Sequence, residues 1–82
     1  MKNETIVIAG ITFGLQEFEV MKTAMTGIPR KAMQDVLNMP LDTINTHMRH
    51  IYLKVGVNKI NDFLIWGFAN GFDSKGNYTK KE

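Results

Sequence analysis

The sequence predicts an all-α fold of four helices preceded by a short extended N-terminal arm, and three observations predict it. Apolar residues recur at intervals of three and four along most of the chain, which is the spacing of one helix face. Glycine, proline and asparagine interrupt the pattern where helices would begin and end. The length of 82 residues suits one domain of short helices and short loops.

The N-terminal segment is the part of the chain with extended character. Residues 5–8 form a β-branched, apolar run, and Ala9 and Gly10 interrupt it. The run fits either a short strand or an extended arm that lies across the core. We favour the arm and assign residues 1–12 to it.

The first predicted helix runs from Leu15 to Thr26. Its apolar side chains follow a 3, 3, 4 spacing, at Leu15, Phe18, Met21 and Met25. Gly27 stands where a C-terminal cap belongs. Glu17 and Glu19 fall in the first turn, where the helix dipole favours carboxylates.

The second and third predicted helices form a helix-turn-helix. Proline suits the start of each, and Gly56 ends the third. The three remaining helices are helix 2 from Pro29 to about Leu37 with Met33, Val36 and Leu37 facing inward, helix 3 over about 41–55, and helix 4 from its cap Asn58 to about Phe68. The predicted units are an arm over 1–12, a helix-turn-helix domain over 13–72 and a flexible tail over 73–82.

Composition excludes several classes of function. The chain has no cysteine, so it has neither disulfides nor thiolate metal sites. Its longest apolar run, residues 63–69, is far shorter than the roughly 20 residues of a membrane span, and the start lacks the apolar stretch of a signal peptide. We therefore expect a cytoplasmic protein without a membrane association. The net charge of +2 permits nucleic-acid binding but does not by itself indicate it.

Helix 3 carries the most informative pattern. Ile44, Met48, Ile51 and Val55 lie on one face, and no acidic residue occurs between Asp42 and Asp62. The opposite face presents Asn45, Thr46 and Arg49, which suit the edges of adenine, thymine and guanine in a major groove. A flank of Thr43, His47, His50 and Lys54 suits phosphates. The competing interpretation is a polar face that only meets water.

Neither catalysis nor metal binding is indicated. His47 and His50 are three residues apart, but no third ligand lies near them in sequence. Asp42 and His47 lack a serine or cysteine nucleophile close by. We expect no enzyme activity, no cofactor and no metal.

The ordered motifs from about residue 13 to residue 68 resemble the LuxR-type (GerE/FixJ-like) helix-turn-helix domains of bacterial regulators. Residues 16–21 (QEFEVM) resemble the opening R-E-x-E-V-L of that family, and Gly27 with Arg30 and Lys31 resembles its G-x-S-N-K. Residues 37–40 (LNMP) stand at its L-x-I-S, residues 43–47 (TINTH) at its T-V-K-x-H, and residues 51–57 (IYLKVGV) at its I-x-x-K-L-x-V. These matches follow one another at fixed spacing without an internal gap.

The resemblance implies a four-helix LuxR/GerE-like bundle and a role for particular residues. The implied phosphate contacts are Lys31, Thr43, His47 and Lys54, and the implied base-reading residues are Asn45, Thr46 and Arg49. Helix 4 often forms the dimer contact in this family. In this chain the apolar residues left for such an interface are Ile65, Trp66, Ala69 and Phe72. The alternative is that Trp66 and Phe72 fold back onto the arm and complete the core of a monomer.

Several positions depart from the family pattern. Gln16, Asn45 and Ile60 replace family cations, and Asp42 adds an anion near the start of helix 3. Fewer cations predict weaker non-specific DNA binding. We therefore expect a homodimeric, sequence-specific transcriptional regulator of double-stranded DNA. The alternative is a protein-interaction module, an antirepressor or anti-activator, that keeps the fold but binds a regulatory protein.

Overall fold

A computed structural model describes residues 4–80 and corrects the predicted fold class. The fold is mixed α/β rather than all-α, because two strands precede the helices. In chain order the elements are β1 (Thr5–Ile8), β2 (Ile11–Gly14), α1 (Leu15–Met25), α2 (Arg30–Leu37), α3 (Leu41–Val55) and α4 (Ile60–Ala69). The bounds of the four helices agree with the predicted ones to within two residues.

The predicted arm is an antiparallel β-hairpin. Ile6 pairs with Phe13 and Ile8 pairs with Ile11, so these apolar residues share the face that packs on the helices. Ala9 and Gly10 form the turn with φ angles of 54° and 78°. Both central residues of a two-residue hairpin turn of this hand need a positive φ. The arm prediction was wrong because alanine is an unusual residue at such a position.

α1 begins directly after the hairpin and forms one wall of the core. The Glu17 side chain accepts a hydrogen bond from the Gly14 backbone N–H over 3.0 Å, which caps the first turn. Val20, Met21 and Ala24 are buried along one side. The helix ends at Met25, and its C-cap Thr26 precedes Gly27, which has a φ of 80°.

α2 and α3 are joined by the short predicted turn. Asn38 closes α2 in the left-handed conformation, with a φ of 55°, and Pro40 stands at the start of α3. α2 has only two turns and contacts the core through Met33 and Leu37. Val36, which was expected to face inward, is 64% exposed, because it lies about 60° from Met33 and about 100° from Leu37 around the helix.

The core lies where the hairpin and all four helices meet. Its buried apolar members are Ile8, Phe13, Val20, Met21, Ala24, Met25, Met33, Ile44, Met48, Ile51, Phe63 and Phe72. The α3 contribution, Ile44, Met48 and Ile51, is the stripe that the sequence pattern predicts. This stripe fixes which side of α3 remains accessible.

The C-terminal segment returns to the body of the molecule. A flexible tail was predicted over 73–82, but Phe72 forms a β-bridge with Tyr78 and the Tyr78 ring meets Phe18 edge-on at 5.6 Å. The Asp73 carboxylate accepts hydrogen bonds from the backbone N–H groups of Lys75 and Asn77, which organises the turn. Residues 1–3 of the predicted arm and 81–82 of the predicted tail lie outside the described residues.

Candidate nucleic-acid interface

The side of α3 that points away from the core is a continuous accessible surface. Its exposed residues are Asp42, Thr46, Arg49, His50 and Leu53, which we call the outer face of α3. At 100° per residue these side chains lie opposite Ile44, Met48 and Ile51. The outer face therefore exists because the buried stripe fixes the rotation of the helix.

The three predicted base-reading residues differ in what they contact. The guanidinium of Arg49 is exposed and has neither an ion pair nor a hydrogen bond within residues 4–80. The Thr46 hydroxyl donates to the Asp42 carbonyl oxygen over 3.0 Å. The Asn45 side chain is half-buried, and its Oδ1 accepts a hydrogen bond from Arg30 Nη1 over 2.7 Å. Arg49 is consequently the most available of the three.

The predicted phosphate-contacting residues are also placed differently from one another. Lys31 is exposed in the first turn of α2, whereas Thr43 and His47 are half-buried on the flank of α3 between His50 of the outer face and the buried Ile51. Lys54 is bound to other elements of the fold, although its side chain remains 38% exposed. Its Nζ donates to Glu17 Oε1 over 2.8 Å and to the Thr12 carbonyl oxygen over 3.0 Å, and lies 5.3 Å from the centre of the Phe13 ring.

Lys54 therefore joins α3 to both α1 and the hairpin. The Glu17 side chain that it meets is only 14% exposed. Partial burial raises the pKa of Glu17, but hydrogen bonds from Lys54 and from the Gly14 N–H together outweigh it and hold the pKa below its usual value. The carboxylate is thus ionised near neutral pH and fixes one end of α3.

Arg30 is a functional candidate that the sequence analysis missed. Besides its hydrogen bond to Asn45, its guanidinium lies 6.0 Å from the centre of the Tyr52 ring. Arg30 therefore links the start of α2 to two turns of α3. Only its position beside Lys31 in the family motif hinted at a role, because a contact across 15 residues has no periodic signal.

The four residues predicted for a dimer interface do not form one exposed surface. Ile65 is 66% exposed and Ala69 is also exposed, but Phe72 is only 4% exposed and belongs to the core. Trp66 is half-buried, with ring centres 6.2 Å from Phe13 and 6.0 Å from Phe63. Phe68, which was not predicted, is 46% exposed and adjoins Ile65 and Ala69 on α4.

Among residues 4–80 there is no group of three or more His, Cys, Asp or Glu side chains that could hold a metal ion. No helix within the same range is both long and apolar enough to cross a membrane.

Comparisons with known proteins leave the family open. No protein-family model matches the chain at a significant level, and neither does a curated protein or a solved structure. The resemblance to LuxR-type domains rests on the motifs quoted above. We carry it forward as part of the functional proposal.

Proposed function

We propose that the chain is a sequence-specific DNA-binding transcriptional regulator that places α3 in the major groove of double-stranded DNA. The observation that carries this proposal is the outer face of α3, with a free Arg49 guanidinium at its centre and a short turn connecting α3 to α2. A helix that follows such a turn is the element that helix-turn-helix proteins insert into DNA. The LuxR-like motifs favour the same arrangement.

Charge along the chain supports this assignment. No acidic residue lies between Asp42 and Asp62, while Arg49 and His50 are exposed on the outer face of α3. Lys31 adds an exposed cation in the first turn of α2. Asp42 offsets part of this charge at the start of the outer face, and Arg49 and Lys31 are the cations that attract the phosphate backbone and help to position the helix.

The residue roles follow from their surroundings. Arg49 is the principal base-reading residue, with Thr46 and Asn45 beside it. Lys31 approaches a phosphate, together with Thr43 and His47. Lys54 acts through the fold instead, since its ion pair with Glu17 holds α3 against α1. This replaces its expected phosphate contact by a positioning role.

The proposed assembly is a cytoplasmic homodimer of a bacterial LuxR-type regulator. The exposed apolar residues of α4, Ile65, Phe68 and Ala69, supply the contact surface. Two copies related by a two-fold axis would present two α3 helices to neighbouring half-sites. Trp66 and Phe72 serve the core of each subunit.

Fluorescence anisotropy on a labelled random duplex, at several salt concentrations, tests DNA binding. We expect binding that weakens with salt, with a log–log slope of about −0.9 per phosphate neutralised. A folded protein that gives no anisotropy change at the lowest salt would contradict the proposal. If the protein binds, selection of duplexes from a random library identifies its preferred sequence.

The second candidate is a protein-interaction module that binds a regulatory protein in place of DNA. It is favoured by Leu53, which is 74% exposed on the outer face of α3 where a polar contact to DNA is expected, and by the pairing of Lys54. An antirepressor or anti-activator would present such an apolar residue to its partner. Leu53→Ser distinguishes the two: it should leave DNA affinity nearly unchanged and weaken a protein complex.

A further inference from the structure

A pocket of about 490 Å³ has none of the outer-face residues of α3 in its lining. It is enclosed by the end of α1, the start of α2, the middle of α3 and the start of α4. Its lining includes Ala24, Arg30, Met33, Met48, Tyr52 and Lys59. The volume falls within the roughly 300–1,000 Å³ of sites that hold small molecules.

The pocket has an apolar floor and a cationic rim. Ala24, Met33 and Met48, at the floor, are buried core residues. Arg30 and Lys59, both exposed, stand at the rim, and none of the lining residues is acidic. This distribution of charge is complementary to a molecule with one anionic end and an apolar body.

The side chains at the cationic rim have unused hydrogen-bond donors. One guanidinium N–H of Arg30 donates to Asn45, and this hydrogen bond holds the side chain in place. A guanidinium has five N–H donors, so the others remain available to a ligand. The side chains of Lys59, at the N-cap of α4, and of Pro29, at the N-cap of α2, make no capping hydrogen bond to the first-turn amides. The first-turn amides of both helices therefore add to the positive potential at the rim.

Tyr52, which lines the pocket, has an unsatisfied hydroxyl group within the described part of the chain. Its hydroxyl oxygen is buried and has no hydrogen-bond partner among residues 4–80. That oxygen has almost no accessible surface, so an acceptor group of a ligand reaches it only if the Tyr52 side chain shifts.

We propose that this pocket binds a small amphiphilic carboxylic acid, with its carboxylate at Arg30 and Lys59 and its alkyl chain over Met33 and Met48. A planar guanidinium is well suited to a carboxylate, which it can bind through two parallel hydrogen bonds. The pocket adjoins the proposed base-reading residues through the hydrogen bond from Arg30 to Asn45, but its test does not require that the chain bind DNA.

Heteronuclear NMR titration of the full chain with decanoate, and with decanol as the uncharged ligand of equal chain length, tests the site. We expect saturable shifts at pocket residues with decanoate and binding about tenfold weaker or more for decanol, because the charged hydrogen bonds are lost. No saturable shift with decanoate overturns the proposal, and so does equal binding of decanol.

Matched variants test the assigned carboxylate partners. Lys59→Gln removes a rim charge without breaking any side-chain hydrogen bond of the fold, and it should weaken decanoate binding about tenfold. Arg30→Gln should do so at least as strongly, provided that its spectrum remains that of a folded protein. Lys75→Gln makes the same charge change outside the pocket and should leave the affinity unaltered. Equal weakening by Lys75→Gln and Lys59→Gln would show non-specific attraction and overturn the assignment.

Discussion

At the residue scale, Arg49 and Lys54 show how two cations of one helix acquire different roles. The helical pattern placed both away from the core, and it correctly placed Ile44, Met48 and Ile51 inside. It could not show that Lys54 is paired with Glu17, because the two residues are 37 positions apart and belong to different helices. Availability for a ligand therefore depends on tertiary neighbours that periodicity does not encode.

Arg49→Ala tests the proposed base-reading role. Removing the free guanidinium should cost about 1–3 kcal/mol of binding free energy on the preferred site and little on random DNA. Competition anisotropy with the two duplexes measures both values. Lys31→Ala serves as the matched cation removal and should weaken both duplexes alike. Equal losses for Arg49→Ala on the two duplexes would instead assign Arg49 to a phosphate.

Glu17→Gln tests the link between Lys54 and α1. The charge-assisted hydrogen bonds should contribute about 1 kcal/mol to the free energy of unfolding near neutral pH, a modest value because Lys54 is 38% exposed. Since the folded pKa of Glu17 is lowered, this contribution is full above the ordinary Glu pKa of about 4.3 and is lost as the pH falls through the folded value.

Urea unfolding of the wild type and Glu17→Gln across a pH series measures that difference. The two free energies of unfolding should differ at neutral pH and converge in acid. Glu19→Gln is the control, because the ion pair of Glu19 with Lys22 is 3.9 Å long and exposed. A Glu17→Gln deficit that stays constant down to the acid limit would argue against an ionic contribution.

At the scale of elements, the four helices could be predicted and the hairpin could not. Proline, glycine and asparagine marked where the helices begin and end, as Pro40 and Gly56 do for α3. The strands are only four residues each, and their turn uses Ala9 where asparagine or glycine is usual. The turn chemistry was too weak to separate a hairpin from an arm.

Ala9→Asn tests the conformation of the hairpin turn. Asparagine tolerates the positive φ of 54° better than alanine does. The free energy of unfolding of Ala9→Asn should therefore be about 1 kcal/mol larger than that of the wild type. Ala9→Val places a β-branched residue at the same φ and should destabilise the protein. Thermal unfolding by circular dichroism ranks the three proteins. The same change in stability for both variants would be inconsistent with a left-handed residue at this position.

At the scale of the whole molecule, the N-terminal hairpin and the segment after α4 complete one core. Trp66 packs on Phe13 of the hairpin, and the C-terminal segment brings Tyr78 against Phe18 of α1. These contacts join residues far apart in sequence, and local composition does not show such contacts. The polar composition of residues 73–80 therefore led us to predict a tail. The same contacts also account for two aromatic residues that the sequence analysis had assigned to a dimer interface.

Ile65→Glu tests the remaining α4 surface as the dimer contact. A buried charge at the centre of an apolar interface is unfavourable, so the variant should be monomeric while keeping its helical spectrum. Sedimentation equilibrium measures the mass against the 9.3 kDa of one chain. Val36→Glu, at a residue of α2 that is 64% exposed, should leave the dimer intact. A wild-type protein that is monomeric at high concentration would remove this surface from consideration.

The most direct test of the central proposal is to map DNA contacts on isotope-labelled protein by heteronuclear NMR. At low salt we expect shifts upon adding a duplex to cluster at Thr46, Arg49 and His50 on the outer face of α3 and at Lys31 in the first turn of α2. Arg49→Ala should reduce them. An unchanged spectrum, or shifts confined to the exposed side of α4, would contradict DNA recognition by α3.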